Sequence, residues 1–379
     1  MAKLSVGIIG GGIGGITAAV ALRHFGIDAT VYEKAAELRE LGAGMVLWAN
    51  ATRVLKELGL LEKVVADSGA TDYFLVRKSN GQVLMNIETG DFEVPSVCMP
   101  RANLLSILVS AFPSAQIKLS HEFSRLEQTA NKVGVLFTNG SSVEHDILIG
   151  ADGLRSRVRD ALFGLSEPVY RGYTIWRGIG RYSGDGMPPA TSSETWGKGK
   201  RFGILNTGGD RFTWYAAVNV PADHKDSEKG RKAELLEMFA GWHAPVGELI
   251  NSTPNDLIMK NGGCDHPSMR KWVRGRIALL GDSAHATTPN LGQGGGMAIE
   301  DALVLAKSLN SESSIEAALR LYEKRRTNRT KHIQQRSRLM GQIAQWENSL
   351  VVKGREIVTN ILPAKLFEFN LRRTYSYRA

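Results

Sequence analysis

The spacing of apolar and polar residues changes several times along the chain, and the changes divide it. LSVGIIG near the start is an almost unbroken apolar run, the pattern of a strand buried on both faces. ITAAVALRHFG has apolar residues at helical spacing and DATVYEK returns to a β-branched strand pattern, so residues 4–34 read as a βαβ unit. Helices are predicted over residues 50–58 and from Pro100 through PRANLLSILVSAF, with Pro100 suited to a first turn. KSNGQVL, FTNGSSV and NTGGDRF then put Asn-Gly or Gly-Gly between β-prone segments, the strongest short-range hairpin signal. Across residues 173–258 hairpins alternate with one helical piece, KAELLEMFAGW, which predicts a sheet-built domain inserted into the first one. GRIALLGD is again a strand, and two or three helices are expected to run from there to the end.

Composition narrows the class. A chain of 379 residues that is 43% apolar and 22% charged is long enough for two globular domains and has no disordered or collagenous bias. The net charge of +9 belongs to the C-terminal part: from Arg320 onward there are fourteen Lys and Arg against four Asp and Glu. A basic helical tail reads first as a solvated face, with contact to a membrane surface or a partner as the alternatives. Without a recognition motif, or a basic patch interleaved with aromatics, nucleic acid is not an expected partner. Cys98 and Cys264 stand far apart with no CxxC, so neither a metal site nor a disulfide is expected and a reducing cytoplasm is the default. The N-terminus lacks the long apolar core of a signal peptide, and no run approaches the length of a spanning helix.

The chemistry begins at GIIGGGIGG. Gly10-x-Gly12-x-x-Gly15 falls directly after a predicted strand and opens a helix, which suits a tight turn, close backbone approach to a pyrophosphate and close helix–sheet packing. Glu33 ends the second strand eighteen residues after Gly15, where a carboxylate is expected to take a ribose diol. This unit points to dinucleotide binding without distinguishing NAD from FAD.

Three further stretches carry a resemblance: Arg101 in MPRANLL, DILIGADGLRSRVR from Asp146 to Arg159, and GRIALLGDSAHATTPNLGQGGGMAIEDA up to Ala302. With the N-terminal glycines and in this order, the chain resembles the class A flavoprotein monooxygenases, single-component FAD-dependent aromatic hydroxylases. It lies nearest the branch of urate hydroxylase, salicylate hydroxylase and zeaxanthin epoxidase. The resemblance implies an α/β fold: a Rossmann-type FAD-binding domain of residues 1–70, 99–165 and 271–330, an inserted sheet-rich substrate domain of 71–98 and 166–270, and a C-terminal helical region of 331–379. It implies FAD, NADPH or NADH as reductant, O2 as cosubstrate, and hydroxylation of an aromatic or polycyclic small molecule through a flavin C4a-hydroperoxide. An epoxidase or reductase acting on a prenyl, quinone or carotenoid lipid is the alternative, and either a monomer or a homodimer is compatible.

Carried over residue by residue, Gly10, Gly12, Ile13, Gly14, Gly15, Glu33 and Lys34 would hold the ADP half of FAD. Gly281 and Asp282 would hold the ribityl-pyrophosphate, with Arg101 beside it. Gly292, Gln293, Gly294 and Gly295 would let backbone approach the isoalloxazine, the helix starting there aiming its dipole at the N1–C2=O edge, and Gly44 and Pro289 are further cofactor-binding candidates. Asp152 and Gly153, with Ser156 and Arg159, belong to a motif implicated in both FAD and NAD(P)H binding. Arg201 stands where the urate-hydroxylase branch has a substrate-binding Arg, but Thr213 occupies the position of that branch's Tyr, which argues against urate. Arg201 is otherwise an ordinary surface ion pair. Tyr215, Trp48, Leu47, Met45 and Pro289 are the remaining pocket candidates, with no residue assigned as catalytic and no metal. Trp176 and Trp214 read as core, and His285 as structural rather than a base. In the tail, Trp346, Leu350, Ile357, Leu362 and Leu366 have a spacing suited to packing, with the charge turned to solvent.

Overall fold

The computed structural model describes residues 4–38 and 43–379. The opening apolar run forms β1 (Ser5–Ile9), and α1 (Ile13–His24) carries the chain to β2 (Asp28–Tyr32), parallel to β1. α1 is buried on almost every side, as its uniformly apolar sequence requires. β3 (Gly44–Leu47) and α2 (Ala49–Glu57) follow, and the hairpin of β4 (Tyr73–Lys78) and β5 (Val83–Glu88) then leaves for a second sheet. α3 (Arg101–Ser110) starts one residue later than expected, because Pro100 has extended backbone and ends a short strand, Val97–Pro100. After a small antiparallel sheet that includes the FTNGSSV hairpin, β6 (Ile147–Gly150) returns beside β1 on the side away from β2. The strand order therefore reverses at β1, whose carboxyl end is Gly10, the place where parallel α/β sheets open a ligand crevice.

α4 (Arg157–Phe163) leads into the second sheet. Its strands β7 (Val169–Arg181), β8 (Thr191–Trp196), β9 (Lys200–Asn206), β10 (Arg211–Asn219) and β11 (Met259–Asp265) join β4 and β5 in the order β11-β7-β10-β9-β8-β4-β5. All neighbours are antiparallel except β8 and β4. One face packs Trp176, Phe202 and Trp214 against α5 (Gly230–Met238) and α6 (Val246–Ser252), while residues of the other line a cavity described below. β12 (Ile277–Leu279) adds to β6, and after a single short turn of helix the chain runs through α7 (Gly294–Ser311), α8 (Ile315–Ala344), α9 (Ser349–Ile361) and α10 (Ala364–Tyr375). The helices after β12 are thus more numerous than the two or three expected.

The tail differs from its expected packing. Trp346, Leu350, Ile357 and Leu362 are exposed, Leu350 to 80%, and the side chain of Leu366 lies outside the described residues. α9 instead turns Val352, Arg355 and Thr359 inward. The cause is Arg355, whose guanidinium donates to the carbonyls of Ile343, Ala344 and Gly197 and lies over the Trp196 ring. Among the described residues no helix is long and apolar enough to cross a membrane, and Cys98 and Cys264 are unbridged.

Candidate active site

At the end of β1 the backbone is shaped by its glycines. Gly10 has φ 112°, a conformation that L side chains rarely adopt, and a Cβ there would lie 2.4 Å from the Ala151 carbonyl oxygen. A Cβ on Gly15 would lie 1.9 Å from the Gly10 oxygen, so α1 rests directly on the turn. Gly12, the N-cap of α1, faces open space: a Cβ there would meet nothing within 4 Å. Beside that space are first-turn N–H groups with no intrahelical acceptor, the arrangement that binds phosphate. The Glu33 carboxylate accepts from Gly11 N at 2.7 Å and Ala35 N at 2.9 Å, which fixes it at the rim.

These groups open on a cavity of about 290 Å³. Gly10, Gly12, Ile13, Gly14, Glu33 and Lys34 line one side, and Arg101, Asp152, Gly153, Gly281, Asp282, Gly294 and Gly295 the other. The donor set fits a dinucleotide: a glycine cradle, a helix N-terminus and a rim carboxylate for a diol. Gly15 does not line it, and its place in the motif is packing. Ser156 and Arg159 are also turned away. Ser156 caps α4 and donates to Asp152, while the buried Arg159 guanidinium is engaged by the carbonyls of Leu154, Ser166 and Ser283. Both stiffen the loop that presents Gly153, so they act behind the surface that the resemblance assigned to them. Arg155 and Arg157 of the same segment do line the cavity, a pair that the motif reading passed over.

A second cavity, of about 730 Å³, shares Arg101, Asp282, Gly294 and Gly295 with the first, so one cleft runs between the two sheets. Gly44, Met45, Trp48, Pro289, Gly292, Arg201 and Tyr215 line it. Leu47 does not: it is fully buried in the large core packed around β1 and α1, while its strand neighbours Met45 and Val46 reach the cavity. Gln293 also lies outside the lining; it is buried and its side-chain oxygen accepts from Asn50 at 3.0 Å. Trp48 donates to the Leu291 carbonyl and stacks on Tyr375 at 4.6 Å and 11°. The roof comes from the last three helices through Met340, Ile343, Thr359, Phe367, Leu371 and Tyr375.

Arg201 is neither a surface ion pair nor a free cation. It is 1% exposed, donates to Glu194 at 2.9 Å and to the Asn290 side chain, and lies over the Tyr173 ring. Burial, the largest single influence, lowers its pKa, but Glu194 together with Tyr173 and Tyr215 outweighs it and the result is a rise. Burial, reinforced by Glu194, pushes the Tyr215 phenol well up, so its hydroxyl remains a neutral donor. Opposite Tyr215 in register stands Arg177, half-buried in the cavity wall, its pKa lowered by burial and by Arg101. Thr213 accepts from Gly44 N at 2.8 Å and so ties β3 to the second sheet.

Behind the glycines of α7 is a buried ionic cluster. His285 is 1% exposed and its Nε2 meets Asp301, which also accepts from Gly281 N and Arg326 Nε. Glu300 accepts from Arg329, pairs with Arg326 and accepts from Asn50, itself bonded to Gln293. Burial disfavours both carboxylates as anions, but the surrounding cations more than compensate and hold Asp301 at about 2. His285 therefore braces the Gly281 turn, outside either cavity. Glu300 and Asp301 escaped the sequence reading, although two adjacent acids in the otherwise apolar MAIEDALVLA were a visible signal.

The family described as "FAD binding domain" matches residues 3–337. The chain is 36% identical over 381 residues to an aurachin C monooxygenase/isomerase of Stigmatella aurantiaca, covering 99% of this chain and 98% of that protein. To an FAD-dependent urate hydroxylase of Klebsiella pneumoniae it is 33% identical over 336 residues, 86% of each chain. The crystal structure of Klebsiella pneumoniae HpxO with FAD and uric acid superposes with a TM-score of 0.92 at 29% identity, over 99% of this chain and 97% of that one.

Proposed function

Because the chain belongs to the FAD-binding-domain family of FAD-dependent monooxygenases, we propose that the larger cavity holds a neutral aromatic or polycyclic molecule for hydroxylation beside the flavin. The carrying observation is that an apolar cavity of about 730 Å³ opens into the dinucleotide cleft along Arg101, Asp282, Gly294 and Gly295. The relatives named as an aurachin C monooxygenase/isomerase and a urate hydroxylase, both acting on small molecules, support that reading.

In this reading Gly10, Gly12, Ile13, Gly14, Glu33 and Lys34 hold the ADP half of FAD, Asp282 and Arg101 the middle, and Gly44, Gly292, Gly294 and Gly295 the ring. Bound FAD, reduced by NADPH or NADH, supplies O2 activation and transfer of one oxygen atom. The chain's own residues position the substrate and exclude water. The N-terminus of α7 favours negative charge on the adjacent flavin edge, and Arg177 and Arg101 add to that field. Arg201 is neutralised by Glu194, and its partner Asn290 donates its amide hydrogens to Thr288 and the Ser337 carbonyl, so this part of the wall is internally satisfied and favours a molecule held by shape and apolar contact. We place the division between domains as in the sequence reading, and the reaction in the cytoplasm, where reduced nicotinamide and unbridged cysteines coexist.

The test is NADPH and NADH oxidation by the FAD-loaded protein against a panel of aromatic and polycyclic compounds, following product mass and hydrogen peroxide. A compound that speeds flavin reduction and gains one oxygen is expected. A flavin that no nicotinamide reduces under any ligand would sink the reading.

A further inference from the structure

α9 is an amphipathic helix set with its apolar face outward. Leu350, Val351, Ile357, Val358 and Ile361 recur at i, i+1, i+7, i+8 and i+11, one stripe of a 3.6-residue period, and all are exposed, Ile361 to 72%. A helix packed on a water-soluble core does the reverse. The inward face is instead secured by the Arg355 guanidinium on three backbone carbonyls, so the outward face is set by specific bonds. Leu362, also exposed, continues the stripe into the two-residue link to α10.

α10 adds a second exposed row: Lys365, Phe369 and Arg373 at i, i+4 and i+8, with Phe369 69% exposed. Among the described residues Lys353 on α9 and Lys365 and Arg373 on α10 make no ion pair, while the acids of the two helices are engaged. Glu356 pairs with Lys78, and Glu368 accepts from Glu88 N. The Glu88 amide carries no charge, so Glu368 stays anionic, and the three cations Lys353, Lys365 and Arg373 leave this face net positive.

We propose that the α9–α10 face docks on an anionic lipid bilayer, with the apolar stripe entering the headgroup boundary and Lys353, Lys365 and Arg373 meeting lipid phosphates. A second copy of the chain is the weaker occupant, because a two-fold contact through the same patch would bring these unpaired cations towards their own counterparts. Thr359, Phe367, Leu371 and Tyr375 of the same two helices roof the larger cavity, so docking puts that cavity next to the acyl chains. Uptake of an apolar substrate from lipid follows only if the proposed function holds; the docking itself does not depend on it.

The experiment is vesicle co-sedimentation of the full-length FAD-loaded protein at low and high salt. Phosphatidylcholine vesicles are compared with vesicles containing about a third phosphatidylglycerol, and light scattering gives the oligomeric state in solution. Wild type is expected on the anionic vesicles, released by salt, and scarcely on the neutral ones. L350D/I357D should abolish binding, and K365Q/R373Q should weaken it about five-fold per cation removed, both retaining flavin absorbance. Should the aspartate pair fail to fold, the glutamine pair decides alone. No anionic-vesicle binding, binding indifferent to the variants, or a solution dimer that the aspartate pair dissolves would each overturn the proposal. None of these readouts uses turnover, so a failed hydroxylation assay leaves them interpretable.

Discussion

Asp301 shows how far a single residue can act from the cavity it supports. Its pKa lies below the ordinary 3.8, at about 2, because His285 and Arg326 outweigh the cost of burial. A depressed carboxylate contributes stability that is complete above its unfolded value and lost as pH falls through the folded one. This contribution, on the order of 2 kcal/mol, is therefore present at neutral pH and disappears between about pH 4 and pH 2. D301N should cost about 3–5 kcal/mol at pH 7, because Arg326 keeps only Glu300 and His285 loses its carboxylate partner, and its deficit against wild type should shrink on acidification in urea titrations. A deficit that stays constant from pH 7 to pH 3 would show that the charge does not matter. Asp282 is the contrasting case: exposed, at the junction of the two cavities, and outside that cluster. D282A is expected to weaken FAD retention, read as flavin lost on gel filtration, while the melting temperature of the apoprotein stays close to wild type. The sequence made Asp282 legible through its motif. It left Glu194 and Asp301 hidden, because a buried acid betrays itself by its partners, and Arg201 and Arg326 lie 7 and 25 residues away.

At the scale of elements, the βαβ unit could be read because its signals are local: an apolar run, glycines at fixed spacing, then a helical period. The orientation of α9 could not, since an amphipathic stripe reveals two faces without saying which one meets water. Arg355 decides that through carbonyls on other segments. Leu47 and Val46 show the same limit in a strand, where the side of the sheet depends on which neighbour covers it. The start of α1 yields a paired prediction from Gly12 at its N-cap and Gly15 in its first turn. G15A drives a Cβ into the Gly10 carbonyl and should destabilise even the apoprotein by about 1–3 kcal/mol, with loss of FAD. G12A meets nothing in the folded chain and should leave apoprotein stability nearly unchanged, yet fill the space left for the pyrophosphate and weaken FAD binding. Equal effects of the two variants on apoprotein stability would mean that the space beside Gly12 is not a ligand cradle.

Across the whole molecule, the larger cavity belongs to no single unit. β3 and α7 give its floor, the second sheet one wall, and the last three helices its roof, so its closure depends on the tail. Tyr375 fastens that roof: its ring is 3% exposed and stacks on Trp48, and Phe92 meets it edge-on. Oxygen transfer from a reduced flavin competes with release of hydrogen peroxide, and water reaching the ring favours release. Y375A removes the stack and opens a gap above Trp48, so the peroxide formed per nicotinamide oxidised should rise several-fold. A stability loss of about 3 kcal/mol is expected alongside it. The hydroxyl forms no part of the stack, so Y375F should keep both stability and coupling close to wild type. If Y375A lost stability but its peroxide yield stayed at the wild-type level, the tail would be a scaffold for the fold and not the seal of the reaction chamber.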